Sequence, residues 1–234
     1  GFTVNVDITE FLAQQKRLGL PFYLALAYCV TRAANSVPEF RRRIHGDGII
    51  EYDWCHGSHT VALPDETYCY CTLDCRMPFD EYLPRAAEAW KRAKAASSIE
   101  DGEDADSLLF FSSIPWMSFT SVIQPTPSPA DSNPRITWGK YFRQDGKVLL
   151  PLAVLCNHAL VDGLHISRFY SALDRELAKL SFPVQLVGAD GHAWAPLAEE
   201  AREWFETSMD DTHTLRNSVA EIAGGELHVQ RGPL

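Results

Sequence analysis

The run Leu155-Cys156-Asn157-His158-Ala159-Leu160-Val161-Asp162-Gly163 sets an imidazole at the end of an apolar stretch, with a carboxylate and a glycine just beyond it. An imidazole titrates near neutral pH and accepts a proton from a hydroxyl or thiol, and a strand end fixes its ring where a substrate can reach it. His158 is therefore the candidate general base. Asp162 is expected to hold the backbone around it. Two quieter readings compete: His158 as a hydrogen-bonded core histidine, and Asp162 as a helix cap using free backbone donors.

The elements that must position these residues are legible on either side. Residues 147–156 form one long strand, because Val148, Leu149, Leu150, Leu152, Val154 and Leu155 are too uniformly apolar for a strand with one wet face. Pro151 lacks a ladder donor, so an edge or a break in pairing is expected there. Residues 162–179 carry helical spacing, with Leu164, Ile166, Phe169, Tyr170, Leu173 and Leu177 on one side. Asp162 then sits near the start of that helix.

The His-x-x-x-Asp-Gly pattern resembles the active-site signature of the chloramphenicol acetyltransferase family of CoA-dependent acyltransferases. The order of further segments sharpens the likeness: Phe110-Phe111-Ser112-Ser113-Ile114-Pro115-Trp116-Met117-Ser118-Phe119-Thr120-Ser121, then Ile136-Thr137-Trp138-Gly139-Lys140-Tyr141, then Gly146 to Leu152, then the His motif with Arg168-Phe169. The opening, Phe2-Thr3-Val4 through Asp7-Ile8-Thr9 to Pro38-Glu39-Phe40-Arg41, belongs to the same likeness, which covers residues 1–182. It implies an α/β two-layer sandwich, a large mixed sheet covered by helices. It also implies acetyl transfer from acetyl-CoA to a hydroxyl of a small molecule such as chloramphenicol, in a homotrimer with active sites between subunits.

Carried over position by position, the resemblance assigns His158 as the base that removes the acceptor's proton and Ser112 as the donor to the tetrahedral oxyanion. Thr137 would hold a water in the oxyanion site, Asp162 would serve as a structural aspartate, and Tyr141 would join Thr137 along the coenzyme tunnel. A preorganised donor aimed at developing negative charge is among the largest catalytic contributions, often ~3 kcal/mol. Two departures bear on the acceptor. Asn157 stands where the family usually has a first histidine, and the family segment carrying an arginine partner for the aspartate would precede Gly1. Alternatives are a dihydrolipoyl acyltransferase-like core, or the same fold recruited to natural-product biosynthesis, such as cyclisation, or to ligand binding.

Composition agrees with an enzyme domain. With 234 residues, 46% hydrophobic, the chain can bury a sizeable core, and a net charge of −10 argues against nucleic acid as partner. No apolar stretch reaches membrane length and no signal peptide is visible, so a cytoplasmic protein is expected. Cys29, Cys55, Cys69, Cys71, Cys75 and Cys156 do not make a disulfide framework in a chain this long. Zinc is weighed for Cys55, His56, His59 and the three cysteines at 69, 71 and 75, but the latter fall on one parity of a strand, and no metal is expected. Arg135, Lys140, Arg143 and Lys147 are either a patch for the polyanionic coenzyme or a solvated hairpin tip.

Further strands are expected over residues 2–6, 49–54, 59–63, 67–75, 108–113, 117–123 and 135–142. Helices are expected from Asp7, with Glu10 closing a capping box, and over residues 21–36 and 80–97. Residues 98–107 read as an acidic loop and residues 124–129 as a proline-rich one. Residues 183–234 read as a helical C-terminal extension, with helices at 196–209 and 211–223.

Overall fold

In the computed structural model the described residues are 1–99, 105–181, 184–188 and 227–231, with side chains described through residue 180. Their centre is a mixed seven-stranded sheet built from β1 (Phe2–Asp7), β4 (His56–Ala62), β5 (Tyr68–Leu73), β6 (Leu108–Ile114), β7 (Arg135–Gly139), β8 (Phe142–Gln144) and β9 (Lys147–Leu155). The strand order is β1-β9-β7-β6-β4-β5, with β8 pairing alongside β9. The pairs β4/β6 and β6/β7 are parallel and the rest antiparallel.

One face of this sheet is covered by four helices: α1 (Thr9–Leu18), α2 (Phe22–Asn35), α3 (Phe79–Ala96) and α4 (Gly163–Ser181). Alternation along the strands sends Val148, Leu150, Leu152 and Val154 of β9, Ile136 and Trp138 of β7, and Cys69, Cys71 and Leu73 of β5 into the core beneath these helices. The cysteines are free thiols packed as small apolar side chains. Beside them His59 is buried, accepting a 2.5 Å hydrogen bond from Trp90 Nε1. Its desolvation lowers the imidazole pKa to about 3.

Among the described residues no helix lies over the opposite face, which carries Ser112 and Thr137. There the segment following β6 is drawn back across the sheet. A Cβ on Gly139 would come within 2.8 Å of the Phe119 ring and 2.9 Å of the Met117 carbonyl, so only glycine admits this crossing. The expected strand over residues 117–123 is therefore absent: the Phe119 ring lies over Gly139 at the end of β7, and the Met117 carbonyl accepts the Lys140 N–H at 2.8 Å. The same crossing ends β7 at Gly139, so the strand expected to run on to Phe142 is split into β7 and β8.

Pro151 lies inside the sheet, not at an edge. It pairs with Asn5 of β1, while on the other side the β7 ladder stops at Leu152 and the β8 ladder at Leu149. The break in pairing that a proline requires is the gap between β7 and β8. The helix expected from Asp7 starts at Thr9 without the Glu10 capping box, because the Asp7 carboxylate accepts the Thr9 N–H and hydroxyl instead. Leu164, expected on the buried side of α4, is 58% exposed. A hairpin of β2 (Arg42–His45) and β3 (Gly48–Glu51) stands apart from the main sheet.

In the C-terminal extension, β10 (Val184–Gly188) and β11 (Leu227–Arg231) form an antiparallel pair where the sequence suggested only helix. The helices expected at 196–209 and 211–223 lie outside the described residues, as do residues 100–104 of the acidic loop.

Candidate active site

His158 sits just past the C-terminal end of β9, in the tight connection to α4. Asn157 makes that connection: its side-chain oxygen accepts the Ala159 N–H at 3.0 Å, and its carbonyl accepts the N–H groups of Leu160 and Val161 at 3.1 and 3.0 Å. Asn157, where the family usually has a histidine, is thus the residue that closes this turn. The turn points the His158 ring back on itself, with Nδ1 3.1 Å from the Val161 carbonyl. A carbonyl only accepts, so Nδ1 carries the proton and the Nε2 lone pair is free on an exposed ring.

Asp162 opens α4. Its carboxylate accepts the Leu164 and His165 N–H groups at 2.9 and 3.2 Å, which lowers its pKa, the His165 hydrogen bond first. Asp162 thus caps the helix start through backbone N–H groups. The reciprocal contact was not anticipated: His165 Nδ1 accepts the Asp162 N–H at 3.1 Å and stands 3.1 Å from Asp162 Oδ1. Across the ring, Nε2 lies 3.6 Å from Glu39 Oε1. Donor and acceptor thus exchange between the N-cap and the third helical residue as in a capping box, with His in place of the usual Glu or Gln. The Asp-Gly-Leu-His spacing carried that signal.

α4 is held in place by Phe169, fully buried and stacked on Phe40 with ring centroids 5.2 Å apart and planes at 16°. The early Pro38-Glu39-Phe40 segment therefore anchors the helix that follows the His motif through two neighbouring residues, Glu39 and Phe40.

Ser112 on β6 and Thr137 on β7 are register partners on the face away from the helices, and Ala153 of β9 completes the row. Thr137 is 1% exposed, and its buried hydroxyl has no hydrogen-bond partner among the described residues. A buried hydroxyl left unbonded by protein is suited to a water or a ligand oxygen. Among the described residues no hydrogen bond joins His158 to Ser112, Thr137 or Tyr141. Tyr141, half-buried between β7 and β8, packs against Phe22 at 6.0 Å, and its phenol pKa is raised by burial.

Near Tyr141, an open groove of about 400 Å³ is lined by Asn5, Ser118, Phe119, Thr120, Ser121 and Phe142. Asn5 and Phe142 pair with Pro151 and Leu149, so the groove lies toward the start of β9 and His158 beyond its end. Of the basic cluster, Arg135 is committed to Asp131 through two hydrogen bonds of 2.6 and 2.7 Å, and Lys147 to Asp7 at 3.0 Å. Lys140 and Arg143 remain exposed.

The family profile described as chloramphenicol acetyltransferase matches residues 1–174. A chloramphenicol acetyltransferase of Clostridium perfringens is 35% identical over 178 residues, 72% of this chain and 79% of the relative. One of Escherichia coli is 30% identical over 175 residues, covering 74% and 80%. Among solved structures, a chloramphenicol acetyltransferase superposes with a TM-score of 0.63 at 25% identity, covering 75% of this chain and 86% of that one. The cubic core of a pyruvate dehydrogenase multienzyme complex shares the fold, with a TM-score of 0.57 at 19% identity over 76% and 81%. The ordered motifs, the sheet and these matches agree: the chain belongs to the chloramphenicol acetyltransferase family and is a CoA-dependent acetyltransferase.

Proposed function

We propose that the enzyme transfers the acetyl group of acetyl-CoA to a hydroxyl of a small molecule such as chloramphenicol, with His158 as general base. The observation that carries this reading is the 3.1 Å contact between His158 Nδ1 and the Val161 carbonyl, which leaves Nε2 as a proton acceptor on an exposed ring. Nε2 takes the hydroxyl proton as the oxygen attacks the thioester carbonyl. The resulting oxyanion is held by the Ser112 hydroxyl and by a water on Thr137. Collapse breaks the carbon–sulfur bond, and the leaving thiolate recovers the proton from His158. Asp162 keeps the loop in place through its helix cap, and Tyr141 lines the coenzyme side.

The lack of a hydrogen bond between His158 and the Ser112–Thr137 pair among the described residues supports a site shared between subunits of a homotrimer, where each copy supplies His158 to the next. Among the described residues no helix is long and apolar enough to cross a membrane. We place the enzyme in the cytoplasm, with inactivation of an antibiotic as its role and residues 183–234 as an appendage to the domain of residues 1–182. The test is release of free thiol from acetyl-CoA across a panel of hydroxylated acceptors that includes chloramphenicol. Acceptor-dependent release, abolished in His158→Ala, is the expected result; no release with any acceptor would overturn the proposal.

A further inference from the structure

The peptide unit between Val161 and Asp162 is gripped at both ends by imidazoles. Its carbonyl faces His158 Nδ1 at 3.1 Å, and its N–H donates to His165 Nδ1 at 3.1 Å. Because the unit is planar, turning its N–H away from His165 also turns its carbonyl away from His158. An N–H that donates makes the carbonyl of the same amide a better acceptor, since hydrogen bonds in a chain polarise one another. His165 is itself braced: its Nε2 faces Glu39 Oε1 at 3.6 Å, and Glu39 Oε1 is 3.4 Å from Arg42 Nη1. With Nδ1 accepting, the His165 proton sits on Nε2, toward Glu39.

We propose that His165 is a positioning residue for the acetyl transfer, acting through the Val161–Asp162 peptide plane to hold His158 in the tautomer protonated on Nδ1. The inference rests on the reading of His158 as general base. Without the acceptor at His165 the plane is free to rotate, and the neutral His158 ring redistributes its proton between its two nitrogens. Molecules protonated on Nε2 carry their lone pair on Nδ1, facing the Val161 carbonyl, and have none on Nε2 with which to take the hydroxyl proton. The effect therefore falls on the chemical step and leaves substrate binding alone. His165 also belongs to the helix start, so a purely structural role would appear as lost stability with the His158 ring unchanged.

Three variants of the full chain separate these cases: His165→Ala and His165→Leu, neither of which offers the Asp162 N–H an acceptor, and His165→Gln, whose amide oxygen takes the capping-box acceptor position. Two readouts apply: steady-state acetyl transfer from acetyl-CoA to chloramphenicol, and nitrogen NMR of the His158 ring in protein labelled at histidine. The wild type is expected to show His158 protonated on Nδ1. His165→Ala and His165→Leu are expected to lose about tenfold to a hundredfold in kcat, with KM for both substrates held within about twofold and the His158 ring spectrum moving toward the other tautomer. His165→Gln is expected to restore both. Should His165→Ala not fold, His165→Leu carries the same expectation.

An unchanged ring spectrum in the two variants without an acceptor overturns the proposal, whatever happens to kcat, and so does a His165→Gln enzyme as impaired as His165→Ala. A ring that shifts while kcat stays at the wild-type level upholds the positioning geometry and instead overturns the role of His158 as base.

Discussion

Ser112 and Thr137 face each other across the parallel β6/β7 pair, and the buried Thr137 hydroxyl has no hydrogen-bond partner among the described residues. Two hydroxyls at the same level of adjacent strands form a fixed pair of donors on the sheet face that the helices leave uncovered. Replacing Ser112 by alanine is expected to lower kcat for acetyl transfer on the order of 10²-fold with little change in KM, since the hydroxyl would meet only the developing oxyanion. Steady-state kinetics on the purified variant decide it. An effect confined to KM would make Ser112 a binding residue.

His158→Ala is expected to lower turnover by several orders of magnitude while the fold persists, because the exposed ring contributes its hydrogen bond to Val161 and little packing. Turnover and circular dichroism are measured together. A folded variant with near-normal turnover contradicts the assignment.

Phe40→Ala is expected to destabilise the fold by about 3–5 kcal/mol, since it removes a fully buried ring stacked on Phe169 and leaves a cavity under α4. Denaturant unfolding measures the loss. A cost under about 1 kcal/mol, the ordinary size of a surface change, would show that the stack does not anchor α4.

The buried His59 makes acid stability a specific expectation. Its folded pKa is about 3 against 6.5 for the free side chain, so between those values the unfolded chain binds a proton that the native protein does not. Stability is then full above about pH 6.5 and falls as pH drops through the window toward 3, by up to roughly 5 kcal/mol at 1.36 kcal/mol per pH unit. Urea unfolding at pH 7 and pH 4.5 reads the slope. In His59→Gln, which still offers Trp90 Nε1 an acceptor, stability is expected to change less between those pH values; equal slopes would assign the acid sensitivity elsewhere.

Much of this architecture was legible because periodicity and burial agreed. Val148 to Leu155 alternates into a core that also takes Ile136 and Trp138, and α4 shows its helical spacing through Ile166, Phe169, Leu173 and Leu177. Residues 117–123 misled because strand-like apolar content there serves a crossing over Gly139, a contact no local pattern encodes. Pro151 showed that a break in pairing was needed but not that two separate neighbouring strands would supply it. The pairing of β10 with β11 joins segments far apart in sequence, beyond the reach of a local pattern. At the site, His158, Ser112, Thr137 and Asp162 are proposed from the order of their motifs. His165 was missed because its cap is completed by the Asp162 N–H and braced by Glu39, and backbone partners leave only a faint trace in sequence.

The central claim is acetyl transfer on a site divided between copies of the chain, with His158 from one and the Ser112–Thr137 pair from its neighbour. Mixing His158→Ala and Ser112→Ala subunits in equal amounts by joint unfolding and refolding tests it directly. In a randomly assembled threefold ring about a quarter of the sites would pair an intact His158 with an intact Ser112. Thiol release from acetyl-CoA in the presence of chloramphenicol should then rise from the residual level of either variant alone to about a quarter of the wild-type rate. Activity that stays at the average of the two separate variants, in a mixture whose chains are shown to have exchanged, would contradict the account.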